Sequence, residues 1–111
     1  MLRRIKQLLF SQHNLVGEET YLQLINITST NAGKSCISFA LHFNKKELLE
    51  EMILYLLKIT HPKTIRLQLS LSENDVIVTI HFSKSDLIQV YRLIESIIKS
   101  ESEIKNCGEK N

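Results

Sequence analysis

Tryptophan is absent from these 111 residues, proline occurs once, as Pro62, and glycine stands only at positions 17, 33 and 108. So little punctuation excludes a loop-rich or low-complexity chain and leaves polar residues to mark most element ends. Cysteine is confined to Cys36 and Cys107, which in number and spacing supply neither a disulfide framework nor a zinc site. No apolar run approaches the roughly 20 residues of a membrane span. The opening MLRRIKQLLF carries positive charge but no small-residue cleavage site, so it does not read as a signal peptide. The expectation is a cytoplasmic protein with no membrane association. A net charge of +2 with interspersed signs lacks the clustered basic face of a dedicated nucleic-acid binder.

What is present is aliphatic patterning, in a chain long enough for one self-sufficient core. It reads as a single α+β domain over 1–105 followed by a disordered tail over 106–111. The clearest stretch lies late. Ile65, Leu67, Leu69 and Leu71 alternate with polar residues, Glu73-Asn74-Asp75 makes a turn, and Val76, Val78, Ile80 and Phe82 alternate on the way back. A helix over 84–101 follows, with Leu87, Val90, Tyr91, Leu93, Ile94, Ile97 and Ile98 apolar.

The same plan precedes it. His81-Phe82 lies 39 residues beyond His42-Phe43, and that offset also carries Lys45 onto Lys84, Leu48 onto Leu87 and Leu54 onto Leu93. Leu22-Gln23-Leu24 matches Leu67-Gln68-Leu69 at an offset of 45, which makes the first hairpin loop longer by six residues. An internal ββα duplication is one reading, and convergent patterning is the other.

In chain order, residues 2–12 form a short amphipathic helix, and strands follow at 21–28 and 36–43. In the first strand Leu22 and Leu24 are expected to face the helices, leaving Tyr21, Ile25 and Ile27 outward. Asn44-Lys45-Lys46-Glu47 has the pattern of a capping box for a helix over 45–60, and Ser83 with Asp86 repeats it. In that middle helix Leu48, Leu49, Met52, Ile53, Leu56 and Leu57 fill a broad stripe that Leu54 and Tyr55 widen, so burial against more than one neighbour is expected. The simplest fold has the order helix, two strands, helix, two strands, helix. It is a four-stranded, mostly antiparallel sheet with helices on one face and an opposite face made partly apolar by Tyr21, Ile25, Ile27, Ala40 and Ile77. Such a face needs a cover, most simply a second copy.

Candidate chemistry is sparse. Gly33-Lys34-Ser35 has the ending of a phosphate-binding loop, but Thr28 stands where the first glycine belongs and a strand follows instead of a helix. A lysine-bearing loop contacting a partner is the better reading. His42 and His81 recur at matched positions without a third ligand or a nucleophile beside them. Asn26-Ile27-Thr28 is a sequon by pattern alone. Lys34, Lys45 and Lys46, joined by Lys63 and Arg66, could form a modest nucleic-acid patch, although Tyr21 is the one aromatic at an outward strand position.

The order of elements resembles that of small homodimeric chaperones of type III secretion systems, which carry a further strand in the first half and an acidic balance. It also resembles the core order of LAGLIDADG homing endonucleases, whose glycines and acidic metal ligand are missing from Leu2 to Phe10. The first resemblance implies a dimer that binds another protein. The sequence thus points to a noncatalytic interaction module of chaperone, adaptor, immunity-protein or inhibitor type, homodimeric, with no cofactor. Its expected protein interface comprises Tyr21, Ile25, Ile27, Leu54 and Tyr55, and nucleic-acid binding through Lys34, Lys45 and Lys46 is the alternative.

Overall fold

The computed structural model describes residues 3–5, 7, 22–29 and 33–109. Its elements are β1 (Leu22–Ser29), β2 (Lys34–His42), α1 (Lys46–Lys58), β3 (Arg66–Ser72), β4 (Asp75–Ser83), a 3-10 turn (Lys84–Asp86) and α2 (Leu87–Glu109). The α+β class and the antiparallel sheet agree with the sequence reading. The four strands lie in the order β1-β2-β4-β3, every neighbouring pair antiparallel, with β2 and β4 central.

Alternation puts Ile37, Phe39 and Leu41 of β2 and Val76, Val78, Ile80 and Phe82 of β4 on one face, where all are buried. The helices close that face with Leu48, Leu49, Met52 and Leu56 from α1 and Val90, Leu93, Ile94, Ile97 and Ile98 from α2. Ile5, within the helical residues 3–5, is fully buried in the same core. Fully burying an aliphatic side chain of this size contributes about 1.5–3 kcal/mol, so the core dominates stability.

Both hairpins share a register. Leu22 pairs with Leu41, Gln23 with Ala40 and Leu24 with Phe39, while Leu67 pairs with Ile80, Gln68 with Thr79 and Leu69 with Val78. These three pairs of the first hairpin map onto pairs of the second by the offsets of 45 and 39, and the correspondence ends where the β1 register shifts after Leu24. Phe39 and Val78, themselves 39 apart, are direct partners between β2 and β4.

Several expectations change. The register of β1 shifts between Leu24 and Asn26, so that Asn26 opposes Ser38 and Ile27 opposes Ile37. Ile25 is therefore the extra residue of a β-bulge, and Ile27 occupies a position in the core row, not the outward row expected from strict alternation. Tyr21 lies outside the described residues. The Asn44–Glu47 box is not formed. Lys45 is the N-cap, extended at ψ 135°, with no side-chain capping bond. Helix α1 ends at Lys58, short of Pro62, and the Ile59 N–H bonds to the Tyr55 carbonyl at 2.9 Å. The second device is made, since the Ser83 N–H donates to Asp86 Oδ2 at 3.3 Å. Helix α2 continues to Glu109, past the end expected at 101 and into the segment expected as a disordered tail. It is held there by buried Glu101 and half-buried Ile104.

Candidate functional site

On β2, β3 and β4 the sheet face away from the helices is mostly polar. Along its central rows Ser38 and Thr79 hydroxyls are hydrogen-bonded at 2.9 Å, His42 Nδ1 donates to Asp75 Oδ1 at 2.6 Å, and His81 Nε2 donates to Gln68 Oε1 at 2.7 Å. Ala40 and Ile77, paired between β2 and β4, are the apolar residues of these rows. Of the residues expected to make the outer face apolar, Tyr21 lies outside the described residues, Ile25 is the extra residue of the bulge, and Ile27 pairs with Ile37.

At one end of this face three strands converge. Lys34 pairs with Ser83, Cys36 with His81, and Arg66 with His81 from the other side. Between them lies an open cleft of about 330 Å³ lined by Lys34, Ser35, Thr64, Arg66, His81 and Ser83. The Lys84 N–H bonds to the Gly33 carbonyl at 3.1 Å, tying the first hairpin loop to the start of the last helix. Asp86 stands behind the rim, accepting from Thr64 Oγ1 at 3.1 Å. No hydrogen bond joins the Cys36 thiol to the His81 ring among the described residues, so the pair is not assembled as a nucleophile and base. Among the described residues no group of three His, Cys, Asp or Glu could hold a metal ion.

The proposed cationic patch is divided. Lys34 begins β2, whereas Lys45 and Lys46 follow its end, and the eight residue steps from Lys34 to His42 alone span about 26 Å. Arg66 joins Lys34, because β2 and β3 are both antiparallel to β4 and so begin at the same end of the sheet.

On the helix layer, Leu54 is 55% exposed. Tyr55 is half-buried, packs on the core and donates its hydroxyl to the Ser96 carbonyl at 3.3 Å, which joins α1 to α2. Leu57, expected within the buried stripe, is 69% exposed and lies one helical turn from Leu54. Leu71 of β3 and Ile88 of α2 are also exposed. The sequence holds no signal for these three beyond the excess width of the apolar stripes.

Comparison with protein-family models, with curated proteins and with solved structures finds no match for this chain.

Proposed function

We propose that this chain is a noncatalytic protein-interaction module of chaperone, adaptor, immunity-protein or inhibitor type, acting as a homodimer in the cytoplasm. The observation that carries the reading is the exposed pair Leu54 and Leu57, side by side on α1. Single exposed leucines are ordinary on any protein, but two adjacent ones on an amphipathic helix favour a docking surface. Each would contribute about 1.5–3 kcal/mol if fully covered. The free thiol of Cys36 fits a reducing compartment. No described helix is long and apolar enough to cross a membrane.

Light scattering across a dilution series tests the reading. The expected result is twice the monomer mass, falling on dilution. A monomer mass at every concentration would count against it. The element order shared with secretion chaperones supports the same class by analogy alone. An origin by ββα duplication is part of the proposal, supported by the matching of Leu22–Leu41, Gln23–Ala40 and Leu24–Phe39 to Leu67–Ile80, Gln68–Thr79 and Leu69–Val78.

The second reading, nucleic-acid binding, draws on Lys34 and Arg66 at the polar cleft, with Lys45 and Lys46 at the far end of β2. It requires binding that weakens steeply with salt. An affinity unchanged between low and physiological salt removes it.

A further inference from the structure

We propose that the homodimer forms by antiparallel pairing of β3 with β3 of a second copy about a two-fold axis at Leu69, merging two sheets into one. This rests on the homodimer reading and adds to it the surface and the geometry.

The two edges of the sheet are built differently. The bulge at Ile25 interrupts β1, a device that discourages further pairing. By contrast β3 pairs with β4 over seven consecutive positions without a break, and among the described residues no strand lies on its other side. Its sequence, RLQLSLS, has no proline and no charge on the core-facing row, so apart from Arg66 at its start it lacks the features that keep an edge single. That row is also left partly open. Leu71 is 62% exposed although its cross-strand partner Val76 is fully buried, and Leu67 and Leu69 are half-buried.

The strand is complementary to itself in one direction. Turned about Leu69, it sets Leu67 opposite Leu71 of the second copy, Gln68 opposite Ser70 and Arg66 opposite Ser72. Apolar residues then meet apolar ones on the helix side, and polar residues meet polar ones on the outer face. Charge selects the antiparallel direction. Lys63 and Arg66 lie at one end of β3 and Glu73 at the other, so antiparallel pairing brings each cationic end to the acidic end of the second copy, whereas parallel pairing would stack like charges. Glu73 is the one described residue besides glycine with positive φ, at 54°. Glycine or asparagine is the usual occupant of such a position, and a carboxylate kept there at a conformational cost is explained by a cation facing it from the second copy.

The test is sedimentation of the full chain and its variants across a concentration series. Leu71→Glu, at a site exposed in the single copy, is expected to raise the dimer dissociation constant at least tenfold with the circular dichroism spectrum unchanged. Arg66→Glu and Glu73→Arg are each expected to weaken the dimer, and the two together to restore it. In a Cys36→Ser/Cys107→Ser background, Leu69→Cys is expected to give a disulfide-linked dimer on mild oxidation, since directly opposed antiparallel residues lie about 4.5–5.5 Å apart at Cα, within disulfide range. A dimer that survives Leu71→Glu and the single charge reversals but is lost with Leu54→Lys/Leu57→Lys overturns this proposal and leaves the homodimer reading standing. A wild-type chain that is monomeric at every concentration overturns both.

Discussion

His42 and Asp75 face one another across β2 and β4, with Nδ1 donating to Oδ1 over 2.6 Å, at the end of the sheet opposite the cationic cleft. Their side chains are 28% and 33% exposed, so solvent screens the pair and the contact is worth less than its length suggests. Asp75→Asn is expected to lower stability by no more than about 1 kcal/mol, read as a shift of the urea midpoint at constant slope. A loss several times larger would mean that the pair organises the β3–β4 turn as well.

Residues 26 and 27 separate the bulged register from simple alternation. Ile27→Ala removes an aliphatic group from a position opposite fully buried Ile37 and is expected to cost on the order of 2 kcal/mol. Asn26→Ala, opposite half-buried Ser38, is expected to stay within about 0.5 kcal/mol. Equilibrium unfolding of the two variants decides the register, because a strand without the bulge would reverse their order.

Backbone sign makes a matched pair of tests at the two hairpin loops. Gly33 has φ +79°, and a methyl group there would meet nothing within 4 Å. Gly33→Ala should therefore cost about 1–2 kcal/mol through backbone strain alone. Glu73→Gly relieves a similar strain and is expected to be neutral or stabilising by up to about 1 kcal/mol in the single copy. Thermal melts of both variants at low protein concentration provide the comparison.

Truncation reports on the last turns of α2. Ending the chain after Ser100 removes buried Glu101 and half-buried Ile104 and is expected to cost at least about 2 kcal/mol, whereas Ile104→Ala alone should cost about 1 kcal/mol. If the shorter chain kept its full urea midpoint, residues 101–104 would contribute nothing to the core.

Most elements were legible because alternation and helical spacing are strong in 65–82 and in 84–98, where one face of each element meets the core. The bulge was hidden because Leu22, Leu24, Ile25 and Ile27 are all apolar, so no polar residue marks the change of phase. The cap at Asn44 fell one residue early because Lys45 stays extended before the helix begins. The continuation of α2 past 101 is hidden because Glu101, Glu103 and Lys105 conceal a series in which Ile97, Glu101 and Ile104 share a face. The width of the α1 stripe does not say which of its flanks stays open, and so Leu57 reads as part of the core in the sequence. The cleft depended on which strand ends meet. Lys34 and Arg66 stand 32 residues apart in the chain and become neighbours through the β2–β4–β3 order.

The two hairpins also differ in how they close, from which an order of folding is expected. The turn between β3 and β4 holds only Glu73 and Asn74, so that hairpin forms at a local contact with little loop entropy to overcome. The β2–β4 pairing that joins the two halves brings together residues such as Ser38 and Thr79, 41 apart, and must wait until both halves exist. Substitutions in β3–β4 are therefore expected to slow refolding, and those in the bulged β1 to quicken unfolding instead. The regular half of the sheet would serve as the template on which the irregular half is laid down.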